Sequence, residues 1–263
     1  MKQVDVLVFT NNHHRLLNKT IYSIKRQTFK DFNIMLFNNY RNNNIDKNII
    51  KNVDCYYHCP KIKGPSALRN FGLSKSKSKY VSIIDGDDYW HRDKLKYQLS
   101  IAKIYKETVI YTRIINEYDQ KKIIDKSKLN SGNLYKNLIL NEISITGSMS
   151  GVMFTNNMIQ KLEKKYNYIF DERLNYCEDF DFFIRLSTMF NFFAIDKALV
   201  VIKNNQNSHQ SKFDNYERSK IKYKMLSNNL NNNIGNFTII EIIKFNLKAK
   251  IKLIIKYTLK IIF

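Results

Sequence analysis

Only three cysteines, two prolines and seven glycines occur in 263 residues. An odd cysteine count in a chain too large to need disulfide staples excludes a disulfide framework and favours a reducing compartment. Cys55 and Cys59 flank His58, but no second ligand pair follows at zinc-site spacing, so a structural zinc is not expected. The scarcity of proline and glycine excludes collagen-like and linker-rich classes. Nowhere do about 18 apolar residues run unbroken, so no membrane-spanning helix is expected. The chain enters an apolar run at residues 4–9 without the basic start and long apolar stretch of a secretory signal. The expectation is a protein made and kept in the cytoplasm.

Acid is scarce as well. Against 44 Lys and Arg stand 23 Asp and Glu, so the formal charge is 44 − 23 = +21. Partners should therefore carry negative charge: nucleotides, nucleic acid or an anionic membrane surface. Heavy use of Lys, Asn, Ile and Tyr also resembles the codon bias of an AT-rich genome, so charge alone does not choose among them.

What is present is an ordinary globular composition, 44% apolar and 13% aromatic, long enough for one large domain. Apolar runs at 4–9, 32–37, 53–57 and 80–84 read as buried strands, and helical spacing at 14–27, 67–75 and 94–105 alternates with them. Strand, helix, strand order builds parallel sheets. Further strands are expected at 109–112, 151–154 and 194–202, and helices at 157–164 and after Cys177. Residues 41–51 read as a loop or polar helix. From 214 onward Lys, Asn and Ile dominate, and the Asn-rich stretch 228–233 reads as a hinge. The division expected is a catalytic unit over 1–213 and a basic helical extension over 214–263.

Open α/β sheets bind ligands beyond the carboxyl ends of their strands. The run at 80–84 ends abruptly in Asp85-Gly86-Asp87-Asp88. Three carboxylates so close would raise one another's pKa, and a hard divalent cation removes that conflict while also binding phosphate oxygens. A second acidic pair, Glu178-Asp179, precedes a helical run. On its own that pair is as readily explained by the positive end of the helix as by catalysis.

Four segments in order carry a resemblance to the family 2 glycosyltransferases over roughly residues 3–211. They are Val6 to Asn12 with Gln27-Thr28-Phe29; Ala67-Leu68-Arg69-Asn70-Phe71-Gly72; Tyr80 through Trp90 with Lys94-Leu95; and Phe170-Asp171-Glu172-Arg173-Leu174 followed by Glu178-Asp179-Phe180-Asp181. The resemblance implies a GT-A (Rossmann-like) α/β fold, with a mostly parallel central sheet flanked by helices and here a helical C-terminal extension. It implies an inverting transfer from a nucleoside-diphosphate sugar, UDP-based, to a hydroxyl of a surface glycan or glycolipid. Asp85 and Asp87 would hold Mn²⁺ or Mg²⁺, Asp85 nearer the ribose and Asp87 as direct ligand, with His209 as a third ligand from a donor-closing loop. Thr10, Asn12 and Asn39 would lie against the nucleotide beside Gly86, and Arg69 would face the base and phosphates. Asp179 would be the general base, with Glu178 positioning it or touching the acceptor. Asn38-Asn39 replaces the acid that usually reads the base, and Phe9 replaces a common proline.

Between residues 239 and 263 lie Lys244, Lys248, Lys250, Lys252, Lys256 and Lys260 against the single acid Glu241. Ile240, Ile243, Leu247, Ile251, Ile254 and Ile255 fall mostly on other helical faces. Such a basic amphipathic helix lies on anionic membrane surfaces, or else packs on the catalytic domain or a second subunit. The expected location is the inner face of the membrane, peripherally bound. Two rival classes remain. A nucleotidyltransferase would use the same carboxylates but lacks a Gly-rich phosphate loop after the first strand. A basic nucleic-acid-binding protein would fit the charge, but no recognised motif appears, so no nucleic-acid partner is expected.

Overall fold

The computed structural model describes residues 1–11, 14–42, 45–118, 121–140, 145, 148–174, 176–203, 214–233 and 236–262. Its centre is a mixed sheet. The first strands are β1 (Val4–Thr10), β2 (Phe32–Asn38), β3 (Cys55–His58) and β4 (Tyr80–Asp85), joined through helices α1 (His14–Lys25), α2 (Lys47–Ile50) and α3 (Pro65–Lys75). They pair in parallel in the order β3-β2-β1-β4. After β5 (Tyr89–Trp90) and α4 (Lys94–Ile104) come β6 (Thr108–Tyr118), β7 (Lys121–Ile124), α5 (Tyr135–Leu140), β8 (Val152–Thr155), α6 (Asn156–Tyr166), α7 (Glu178–Ser187) and β9 (Asn191–Lys203). β8 bridges β4 and β6 antiparallel, while β9 runs parallel to β6 and antiparallel to β5.

Alternation along the strands sorts the core into two layers. Val4, Val6 and Val8 of β1 join Ile34 and Leu36 of β2 and Ile84 of β4 on one face, against Leu17, Ile21 and Ile24 of α1 and Leu95 and Leu99 of α4. Leu7 and Phe9, Met35 and Phe37, and Val81 and Ile83 point to the other face, against α3, α5, α6 and α7. The side-chain period of two thus sorts the buried residues of β1, β2 and β4 between the two layers.

The reading of β1, β2, β4, α1, α3 and α4 holds within a residue or two. Three elements escaped it: the two-residue β5, the fully exposed β7 and the six-residue α5. None has enough periodic residues to signal itself. The hinge expected at 228–233 is corrected. Asn228 to Asn231 complete helix α8 (Asn215–Asn231), because Asn229 is buried and donates through Nδ2 to Asp181 Oδ1 at 3.0 Å. A capping box of Asp214 and Glu217 opens α8.

Helix α9 (Ile239–Ile262) presents two apolar faces. Phe245 is buried, and Ile242, Ala249 and Leu253 pack against the same core layer as Phe182 and Tyr223. Ile240, Ile243, Leu247, Ile251 and Ile254 are exposed along the opposite side. Among the described residues, no helix is long and apolar enough to cross a membrane. The three cysteines are all free thiols.

Candidate active site

The carboxyl ends of β1, β2 and β4 converge, as the alternation of apolar strand and polar terminus requires. Thr10 ends β1, Asn39 follows β2, and Asp85 ends β4. Gly86 draws the first and last together: its N–H donates to Phe9 O at 2.7 Å. A Cβ on Gly86 would fall 2.9 Å from Thr10 Cβ and 3.1 Å from Phe9 O. Glycine is needed there for close approach of two strands. Phe9, in place of a proline, stacks on Phe37 at 5.3 Å and fills the space a side chain at Gly72 would occupy, 2.6 Å away.

Two buried oxygens at this edge, Thr10 Oγ1 and Asn39 Oδ1, have no hydrogen-bond partner among the described residues. Such orphans are rare in folded proteins and cost about 1–3 kcal/mol each unless a ligand or water completes them. They border the place where a nucleotide was expected. Asn39 also donates to Thr10 O at 3.2 Å through its backbone and to Ile62 O at 3.3 Å through Nδ2, so its side chain is oriented from two sides.

The third side of the site comes from a motif about a hundred residues away. Asn70 of α3 donates to Phe170 O and Glu172 Oε1, both at 2.9 Å, and accepts from Phe170 N at 2.8 Å. This reciprocal clamp seats the segment before α7 against α3. Arg185 of α7 strengthens it, pairing with Asp181 at 2.7 Å and donating to Ile169 O at 2.6 Å while almost fully buried. Asp181, which reads in the sequence as part of an acidic cluster, is therefore a structural anchor for the helix bearing Glu178 and Asp179.

Arg69, one residue before Asn70, lies in the centre. Its Nη1 donates to Glu178 Oε1 at 2.8 Å and its Nη2 to Asp85 Oδ1 at 3.4 Å. Burial alone would lower its pKa, but Asp85, Glu178 and Asp179 together raise it above the ordinary value. Arg69 Nε is buried without a hydrogen-bond partner among the described residues. Asp179 accepts a hydrogen bond from Phe180 N at 2.7 Å. Burial, with Glu178 and Asp85 beside it, pushes Asp179 up to about 6 against the pull of Arg69. Cys177, just before, adopts φ 65°. Left-handed backbone at a non-glycine residue costs of order 1 kcal/mol and recurs where a functional side chain is being aimed.

The acidic turn divides in two. Asp85 and Asp87 are half-buried at the strand end, whereas Asp88 is buried and turned inward. Ser150 Oγ lies 2.6 Å from Asp88 Oδ2 and accepts from Asp85 N at 3.1 Å. Lys203 N donates to Asp88 Oδ1 at 3.3 Å, and Trp90 Nε1 to Ser150 O at 2.9 Å. Burial first, then the neighbouring Asp85 and Asp87, push Asp88 well above the usual carboxylate range. Sequence reading missed Ser150 entirely, since a serine 62 residues from Asp88 carries no local signal.

Asn12 and His209 lie outside the described residues. Among the described residues, no group of three or more His, Cys, Asp or Glu side chains gathers as a metal site. Asp85 and Asp87 nevertheless fit a hard cation of the Mg²⁺ type, which takes one or two carboxylates and fills its shell with water and phosphate oxygens. The carboxylates of Asp85, Glu178 and Asp179 crowd about one guanidinium, an excess of negative charge that a cation would offset.

A parallel β3-β2-β1-β4 sheet with acids at the carboxyl edge, continued by mixed strands and flanked by helices, defines a GT-A fold. The sequence pattern described as Glycosyl transferase family 2 matches residues 5–162, and the chain belongs to that family. An uncharacterized glycosyltransferase of Rickettsia conorii is 25% identical over 206 residues, covering 76% of this chain and 33% of that protein. The poly(ribitol-phosphate) beta-N-acetylglucosaminyltransferase TarP of Staphylococcus aureus is 29% identical over 174 residues, covering 63% of this chain and 53% of TarP. The crystal structure of S. aureus TarS 1–349 with UDP-GlcNAc superposes with a TM-score of 0.64 at 17% identity, covering 86% of this chain and 65% of that one. The mannosyltransferase PcManGT of Pyrobaculum calidifontis, with GDP-Man and Mn²⁺, gives 0.62 at 12% identity, covering 88% and 64%. The chain spans about a third of the length of the R. conorii relative it matches.

Proposed function

We propose that this chain transfers a sugar, with inversion, from a UDP-sugar to a hydroxyl of a surface glycan or glycolipid. The observation that supports the reading is Arg69, which pairs with both the strand-end Asp85 and Glu178 and so draws the two acidic clusters together. TarS with UDP-GlcNAc and the polymer in TarP's name support the donor and acceptor classes.

Residues 1–213 make the catalytic unit and 214–263 its extension. Thr10 and Asn39 take the nucleotide, their orphaned oxygens accepting its donors. Asp85 and Asp87 would hold Mn²⁺ or Mg²⁺, as the Mn²⁺ beside GDP-Man in PcManGT suggests. The cation, when bound, offsets charge on the departing diphosphate. Asp179 removes the proton from the acceptor hydroxyl as its oxygen bonds to the anomeric carbon and the bond to the diphosphate breaks. Glu178, held by Arg69, keeps Asp179 in place and its pKa high enough to accept that proton.

The exposed Ile240, Ile243, Leu247, Ile251 and Ile254 of α9 are flanked by the exposed Lys244 on one side and Lys250 on the other. That arrangement suits an anionic membrane surface, with apolar side chains entering the interface and Lys meeting phosphate. The protein would thus sit peripherally on a membrane.

A thermal-shift titration tests the donor reading, since a ligand that binds the native state raises Tm. UDP-sugars should raise Tm with Mn²⁺ and lose most of that effect with chelator or in Asp87→Asn. A nucleotidyltransferase would instead respond to nucleoside triphosphates. A shift indifferent to chelator, or none with any nucleotide, removes the proposal.

A further inference from the structure

The first turn of α7 carries Glu178, Asp179 and Asp181. At about 100° per residue, Asp179 and Asp181 leave the helix on nearly opposite sides. Glu178 Oε1 accepts from Arg69 of α3 at 2.8 Å. Asp181 is buried, and each of its oxygens accepts a hydrogen bond. Oδ2 takes one from Arg185 Nε, a turn further on, at 2.7 Å, and Oδ1 one from Asn229 Nδ2 of α8 at 3.0 Å. Arg185 ties α7 to the incoming chain at Ile169 O, while Asn229 ties it to α8. In sequence, Asp179 therefore lies between a grip from α3 and a grip from α8.

Asn229 is itself held. Its backbone O accepts from Tyr135 OH of α5 at 2.9 Å and from Asn233 Nδ2 at 3.2 Å, and its Nδ2 also donates to Met225 O at 3.1 Å. The surroundings are apolar: Met225, Leu226 and Leu230 of α8 are buried in the same layer as Phe182 and Phe183 of α7. A leucine would pack there with no polar group to satisfy. A buried amide on a carboxylate instead fixes how two helices are rotated and slid against each other, as one polar side chain in a helix interface fixes register. Without it Asp181 Oδ1 would lose that donor inside the fold, and α7 would turn in search of another. Such a turn carries Asp179 the opposite way from Asp181, and a misplacement of about 1 Å can cost on the order of a hundredfold in rate.

Building on the glycosyl-transfer reading above, we propose that Asn229 is a positioning residue for the base, setting through Asp181 the rotation of α7 and hence the place of Asp179. Helix α8, though part of the extension, then serves the catalytic unit directly.

The test compares Asn229→Ala with Tyr135→Phe in the full chain. The second loosens α8 by removing the phenol's bond to Asn229 O but leaves the amide on Asp181, so a merely structural role for Asn229 would make the two alike. Carboxyl-carbon NMR follows the titration of Asp179, assigned by its loss in Asp179→Asn. Its midpoint should move by about half a pH unit or more in Asn229→Ala, as its distances to Arg69 and Glu178 change, and stay in place in Tyr135→Phe. With UDP-GlcNAc and Mn²⁺, kcat for UDP release should fall about tenfold or more in Asn229→Ala with KM within about twofold, and both should hold in Tyr135→Phe. Asn229→Gln keeps an amide displaced by one methylene and should show the same split, so it decides the outcome where the alanine variant does not fold. An unmoved midpoint in Asn229→Ala and Asn229→Gln, or an equal shift in Tyr135→Phe, overturns the positioning role, as does a kcat that holds while the midpoint moves. If UDP with Mn²⁺ does not bind the unmodified chain, the donor reading falls, and the Asp179 titration alone decides whether Asn229 positions it.

Discussion

Arg69 and Glu178 stand 109 residues apart in the chain and 2.8 Å apart in space, and both are largely buried. The bond ties α3 to the first turn of α7 at the point where Asp85 also arrives. Removing one partner of such a pair leaves the other charge buried and uncompensated, at a cost of about 3–5 kcal/mol. Arg69→Met should therefore lower the urea midpoint strongly. Arg69→Lys keeps the charge but not the planar fork that spans two carboxylates. It should be milder in stability yet still lose on the order of tenfold in kcat/KM. A midpoint unchanged in the Met variant would show that the pair does not organise the cleft.

The raised pKa of Asp179 makes opposite claims on activity and stability. In the proposed role of base it must be ionised, so kcat/KM should climb as pH rises through about 6 and then level. Its folded pKa lies above the ordinary 3.8, so the native state binds the extra proton between those values and stability falls as pH rises across that window. Asp179→Asn, neutral at every pH, should abolish transfer and raise Tm at neutral pH by the equivalent of about 1–3 kcal/mol. The gain should vanish near pH 4. Calorimetric melts of both proteins at the two pH values decide it, and a Tm gain independent of pH would refute the titration.

Asp5, at the opposite end of the sheet, has the opposite sign. Burial alone would raise it, but Ser78 through N–H and hydroxyl, Asn33 and the Lys77 N–H hold it below the usual carboxylate range. The stability it contributes is present above about pH 4 and is lost as pH falls through its lowered folded value. Asp5→Asn should lower the denaturation midpoint at neutral pH and flatten the loss of stability in acid. If acid unfolding keeps its steepness in the variant, Asp5 is not the group responsible.

The exposed apolar side of α9 can be altered without touching the core. Ile243→Ser with Ile251→Ser should leave Tm within a degree or two, since both residues are already exposed. Sedimentation with vesicles containing phosphatidylglycerol should fall severalfold relative to the unmodified chain, and high salt should weaken both. Deleting the whole helix would uncover Phe245 and its neighbours, so the point variants read the surface more cleanly. Undiminished sedimentation would assign the stripe to another contact.

Much of this was visible in the sequence because β1, β2 and β4 are buried on both faces and end in polar residues, a pattern that composition cannot hide. Thr10, Asn39 and Asp85 follow from it. Asp88 does not, because neighbouring residues at a strand end point in different directions and only the fold shows that it faces Ser150 rather than the cleft. Asn229 illustrates the same limit. Its Asn-rich surroundings suggest a hinge, and only its bond to Asp181 explains why the helix continues. The two apolar faces of α9 were blended into one by periodicity, since isoleucine in contact with Phe182's layer and isoleucine facing outward spell the same letters. The Asn70 clamp on Phe170 joins two recognisable motifs by a contact that neither encodes alone.

The irregular pairing of β6 with β9 has a reach beyond its own strands. Thr112 lies opposite Ile195, Arg113 opposite Ala198 and Ile114 opposite Val200, so β9 carries surplus residues at this bend. They determine which amide of β9 arrives at Asp88, and it is Lys203. Shortening that bend by a single residue would present a carbonyl or a neighbouring amide instead. The count of residues on a distant strand thereby acts as a ruler for the aspartates, and a deletion there would be felt first as a misplaced turn and only afterwards as a loosened sheet.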